Sequence, residues 1–163
     1  MKNVDETDQP KADPFSFAKA IALRQLNLMP RSRKELATKM AAKGVTEEVS
    51  LAVLERLTEV GLVDDRGYAE LLVRSKTKVK RLSRRALRME LLKKGIDPEI
   101  ISQVLASVTD DDEIQMAREL VEKKMRSLTK VDPVVAQRRL SGQLARKGYS
   151  HSVIMKVLNE HLD

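Results

Sequence analysis

The sequence predicts an all-α protein, an elongated array of three tandem three-helix repeats, and three observations carry that expectation. The stretch Val63 to Leu105 matches itself when slid back by 51 positions and again when slid forward by 53. Gly95 then falls on Gly44 and Gly148, Leu87 on Leu36 and Leu140, Leu91 on Met40 and Leu144, and Val104-Leu105 on Val53-Leu54 and Val157-Leu158. A period of this size marks units that bury their apolar stripes against neighbours. Composition is the second observation: strong helix formers dominate, charged residues make up 34% and aromatics 2%, which disfavours strands. The third is that helix start and stop signals recur in step with the period.

Taken in order, Met1 to Lys11 carry no apolar periodicity, and residues 1–12 are expected to be a disordered tail. Repeat 1 covers 13–61. Asp13-Pro14 opens its first helix, with Asp13 capping exposed amides and Pro14 where no donor is needed, and Pro30 stops it after about Leu28. Ser32 to Glu35 reads as a capping box opening a helix that ends at Lys43-Gly44. Thr46 caps the next, whose Val49, Val53, Leu54 and Leu57 share a face and which Gly61 closes. Repeat 2, 62–108, follows as helices from about Asp65 to Val79, Ser83 to Lys94 and Pro98 to Ser107. Repeat 3, 109–163, opens at Asp110-Asp111-Asp112, runs to about Ser127, and continues as Pro133 to Lys147 and Ser150 to Leu162. Ala117 to Gly148 holds five more residues than Ala69 to Gly95, an insertion expected near Thr129 to Asp132, where turn residues gather.

Several function classes are disfavoured at once. The chain has no cysteine, which removes thiol nucleophiles, disulfides and Cys-ligated zinc. His151 and His161 have few partners for a metal or a catalytic centre, so no metal, no cofactor and no enzymatic activity are expected. No apolar run is long enough to span a membrane and the first ten residues are polar and acidic, so the expectation is a cytoplasmic protein, a monomer without membrane contact. A net charge of +7 favours an acidic partner.

Most conspicuous residues have structural readings. Gly44, Gly95 and Gly148 follow Lys at helix ends, where a left-handed C′ residue is needed. Asp64-Asp65 and Asp110 to Asp112 precede helices, where carboxylates cap and complement the dipole. The basic run differs. Arg74, Lys76, Lys78, Lys80, Arg81, Arg84, Arg85 and Arg88 occur with no acid among them. At helical spacing Arg81, Arg85, Arg88 and Leu92 form one stripe, with Arg84 on its flank, away from the Leu87 and Leu91 face. In the other repeats Arg81 corresponds to Pro30 and Val134, and Arg88 to Ala37 and Ser141, so this stripe is not a packing requirement of the repeat. A solvated helix would interleave acids. The run is therefore read as a binding face.

The same residues resemble a known family. Val63-Asp64-Asp65-Arg66-Gly67-Tyr68-Ala69, the basic stretch, and Glu90-Leu91-Leu92-Lys93-Lys94-Gly95-Ile96 are similar to the central signature of the RecX family of RecA regulators. The resemblance extends through Arg33-Lys34-Glu35-Leu36 with Lys43-Gly44, and through Arg146-Lys147-Gly148-Tyr149-Ser150, covering most of Phe15 to Leu158. Val63 and Tyr68 stand where the family usually has Leu and Phe, and Ser83 where it often has glycine before the basic helix. Asp64, Asp65, Tyr68 and Gly95 belong to the motif and are read as structural.

The resemblance implies a non-enzymatic regulator, mainly an inhibitor, lying along the groove of the RecA-DNA filament. There it would contact several protomers, with the filament's DNA as a possible further partner, and modulate ATP hydrolysis, strand exchange and filament stability in recombination and DNA repair. The candidate partner-binding residues are Arg74, Lys76, Lys80, Arg81, Arg84, Arg85 and Arg88. Two other classes stay open: a direct DNA binder of helix-turn-helix type and a helical adaptor for an unrelated protein. Few aromatics are available to stack on bases, which disfavours single-strand reading.

Overall fold

The computed structural model describes residues 13–162; the expected tail over residues 1–12 lies outside the described residues. Among these there are nine helices and no strand: α1 (Pro14–Leu28), α2 (Arg33–Ala42), α3 (Glu47–Glu59), α4 (Asp65–Lys80), α5 (Arg84–Lys93), α6 (Pro98–Leu105), α7 (Asp110–Met125), α8 (Pro133–Arg146) and α9 (His151–Leu162). They form three tandem three-helix domains. The chain divides between Asp64 and Asp65 into two compact units, the first holding α1 to α3 and the second α4 to α9.

The helix boundaries follow from local chemistry. Asp13, Asp97 and Asp132 each accept backbone N–H bonds ahead of a proline at the first turn, leaving fewer of the exposed amides of a helix start without a partner. Ser32 accepts from the Glu35 amide at 3.2 Å and the Glu35 carboxylate accepts from the Ser32 amide at 3.1 Å. Thr109 and Asp112 make a second reciprocal pair of this kind at the start of α7. Gly44, Gly95 and Gly148 have φ of 82°, 74° and 89°, the left-handed conformation that ends α2, α5 and α8 and that a Cβ would penalise.

In the first unit α1, α2 and α3 pack on one another around Ala18, Ala22, Leu36, Met40, Val53, Leu54, Leu57 and Val63. The second unit repeats the arrangement twice. Ala69, Leu72, Val73, Leu87, Leu91, Ile101, Val104 and Leu105 are buried in one cluster, and Ala117, Leu120, Val121, Leu140, Leu144, Ile154, Val157 and Leu158 occupy the same register in the other. Met116 packs against both, so the two cores are continuous within the unit. The extra length of the third repeat is only partly a loop. α8 has 14 residues against 10 in α5, with the added turn at its start, because Asp132-Pro133 nucleates a helix one turn earlier than Ser83 does.

Candidate partner-binding surface

The basic run of the second repeat does not stay together in space. Arg74 and Lys78 are exposed on α4 and line a cleft of about 650 Å³ shared with α6 and α7, whose far wall carries Gln103, Asp112, Gln115 and Glu119. Lys76 turns the other way and pairs with Glu90 of α5 at 3.5 Å. Lys80 is exposed at the end of α4, and its carbonyl accepts a bond from Lys147 Nζ at 2.9 Å.

Arg81 corrects the helical stripe, because α5 begins only at Arg84 and Arg81 lies before it with φ of 50°. A non-glycine residue in this region is strained by roughly 1 kcal/mol or more. Three bonds hold it. Arg81 Nε donates to Glu119 Oε2 at 2.8 Å, the Tyr149 hydroxyl donates to the Arg81 carbonyl at 2.5 Å, and the Ser83 amide donates to the Lys147 carbonyl at 3.1 Å. Ser83, buried and extended, caps α5 through its hydroxyl on the Ala86 amide. The unusual backbone at this turn is therefore carried by Arg81, and Ser83 fits without strain.

Arg84 completes the junction. Its amide donates to Glu113 Oε1 at 2.7 Å, and its guanidinium pairs with Asp110 and with Glu113. Hydrogen bonding to Glu113 first and Asp110 second pushes the Arg84 pKa up. Gly148 lies against this turn. A Cβ there would overlap Ser83 Oγ and stand 2.9 Å from Ala86 Cβ. The α4–α5 turn, the start of α7 and the α8–α9 turn thus interlock through oriented polar bonds, and burial pushes the Tyr149 phenol well up, keeping it a donor.

Arg85 and Arg88 are left facing solvent, with no ion-pair partner among the described residues. The large side chains beside them are Met89 and Leu92, 54% and 41% exposed. Arg85, Arg88, Met89 and Leu92 stand at i, i+3, i+4 and i+7, one stripe of α5 that carries both cations and apolar surface. Of the motif residues, Asp65 opens α4, Tyr68 is half-buried against the Ala69 cluster, and Gly95 ends α5. No helix of the described residues is long and apolar enough to cross a membrane, and no three of their His, Asp or Glu side chains come together as a metal site would require.

Three family models match the chain, described as the first, second and third three-helix domains of RecX, over residues 18–57, 64–105 and 110–158. This chain belongs to the RecX family. Proteins named regulatory protein RecX are similar to it along most of its length. That of Streptomyces coelicolor is 37% identical, over 97% of this chain and 84% of its own; that of Amycolatopsis mediterranei 42%, over 94% and 87%; that of Mycolicibacterium smegmatis 43%, over 89% and 79%. The crystal structure of RecX from Lactobacillus salivarius superposes with a TM-score of 0.78 at 27% identity, covering 92% of this chain and 97% of that one. Membership places the chain in a family of regulatory proteins. Sequence reasoning missed Glu113, Glu119 and Tyr149 as partners of the basic run. Their available signal was the density of acid in α7, which has in Asp110 to Glu113 and Glu119 what residues 74–88 lack.

Three carboxylates of the second unit, one of them in the interlock, predict an acid limb in stability. Glu119 is held below the usual carboxylate range by its hydrogen bond to Arg81, Glu160 by its bond to Arg118, and Asp112 by the Thr109 amide. Depressed carboxylates contribute stability that is fully present above their unfolded values and is lost as pH falls through the folded ones. The melting temperature should therefore hold level from neutral pH to about 5 and decline below about 4. Arg81→Gln should flatten part of that decline, and an identical acid limb in the two proteins would show that the Arg81–Glu119 pair does not contribute.

Proposed function

We propose that this chain is a non-enzymatic regulator of the RecA recombinase, acting mainly as an inhibitor. It binds along the groove of the RecA-DNA filament and modulates ATP hydrolysis, strand exchange and filament stability. The observation that carries the reading, beside family membership, is the exposed α5 stripe of Arg85, Arg88, Met89 and Leu92. Protein-binding surfaces are enriched in Arg, Met and aromatic residues, and a helix face with anchors at i, i+3, i+4 and i+7 docks into a groove on a protein. Arg81 and Arg84 serve a different purpose in this reading. They orient α5 by holding its start against α7, and the partner meets the stripe beyond them.

The test measures RecA ATP hydrolysis on DNA while the chain is added, together with co-sedimentation of the chain with RecA filaments formed with and without DNA. Hydrolysis should fall and the chain should sediment with the filament. Unchanged hydrolysis with no co-sedimentation at equimolar chain would overturn the proposal.

A further inference from the structure

A second basic surface lies apart from the α5 stripe. The end of α4, the last turns of α7 and the end of α8 enclose a groove of about 400 Å³ lined by Val79, Lys80, Arg81, Leu120, Lys123, Lys124, Ser127, Gln143 and Lys147. Its lining contains five cations and no carboxylate. Glu119, just outside, neutralises Arg81, which leaves four lysines. The ordinary explanation is that lysines complement helix C-termini, and three helices do end here. Each such terminus carries about half a negative charge, so three of them offset fewer than two of the four lysines. The dipoles therefore account for less than half of the charge in the groove.

The lining also differs in kind from the α5 stripe. Its uncompensated cations are all lysines, it has no aromatic residue and no methionine, and its apolar members are the exposed Val79 and the buried Leu120. Lysine is depleted in protein-protein interface cores and suits phosphate as a point charge. Without an aromatic platform a single strand gains nothing from stacking, and the higher charge density of a duplex favours it. We infer that the groove between α4, α7 and α8 is a binding site for the phosphodiester backbone of duplex nucleic acid, separate from the α5 stripe and independent of RecA.

The experiment uses the full chain, without RecA, and a fluorescein-labelled duplex of about 20 base pairs read by anisotropy across a salt titration. Lys123→Gln with Lys124→Gln removes two exposed charges that take no part in the interlock. Arg85→Gln with Arg88→Gln removes two charges from the stripe as the control. The log-log salt slope should fall by about 1.8 in the groove variant, at about 0.9 for each phosphate no longer neutralised, and stay near wild type in the control. Circular dichroism melts on both variants check that each is folded. Equal loss of slope in the two variants would mean diffuse charge, and an unchanged slope in the groove variant would place any binding elsewhere. Absence of binding by the wild type at about 50 mM salt, or tighter binding to the single strand of the same length, would likewise overturn the assignment.

Discussion

Replacing Gly148 by alanine should destabilise the second unit by about 3 kcal/mol, from roughly 1 kcal/mol for a Cβ at positive φ and up to about 2 more for overpacking. The overlap would be with Ser83 Oγ and Ala86 Cβ at the start of α5, and the Ala86 amide lies 3.1 Å away, so relief requires backbone movement at the interlock. The comparator is Gly44→Ala. Gly44 occupies the matching turn of the first repeat with φ of 82° and nothing within 4 Å of its would-be Cβ. There only the conformational cost applies, about 1 kcal/mol. Denaturant melts of both variants measure the difference, and equal losses would show that the close approach at Gly148 is absorbed without strain.

Under the proposed function, charge reversal on the α5 stripe should strongly weaken the effect on RecA while sparing the fold. Arg85→Glu with Arg88→Glu touches exposed side chains outside the interlock, and surface changes of this kind usually alter stability by less than about 0.5 kcal/mol each. At the proposed interface the same change would turn attraction to repulsion and remove charge-assisted hydrogen bonds. Inhibition of RecA ATP hydrolysis should weaken by at least about a hundredfold in effective concentration, which corresponds to losses of about 1.4 kcal/mol at each arginine. The matched control is Arg138→Glu with Arg139→Glu, exposed on α8, which shifts net charge equally. A stripe variant that is folded and inhibits like wild type would reduce this face to solvated surface. Arg81 is left out of the variant on purpose, because losing its bond to Glu119 disturbs the interlock.

The fold was legible because its signals are local and repeated. Asp13-Pro14, Asp97-Pro98 and Asp132-Pro133 act within one helical turn, and Gly44, Gly95 and Gly148 state the helix ends directly. Leu87 and Leu91, with their counterparts in the other repeats, mark the buried face by period alone. The candidate surface was less legible because its geometry depends on contacts distant in sequence. Arg81 meets Glu119 and Tyr149, which are 38 and 68 positions away, and no helical wheel drawn on residues 81–92 can place them. The wheel also assumed that Arg81 was helical. The chain instead needs a left-handed residue there, and the bonds to its carbonyl and side chain make arginine tolerable.

The burial of Tyr149 has an optical consequence. The chain has two tyrosines and no tryptophan, and both Tyr68 and Tyr149 fall in the unit that starts at Asp65. Tyrosine absorbance and emission therefore come from that unit alone, and residues up to Asp64 contribute only through phenylalanine. Tyr149 leaves a largely dry setting for water when its bond to the Arg81 carbonyl breaks, so its near-ultraviolet signal follows the separation of the second and third repeats without any attached dye. Far-ultraviolet ellipticity, by contrast, weighs every helix of the chain. The two wavelengths, recorded on one sample, distinguish a molecule that melts in one step from one whose parts melt in turn.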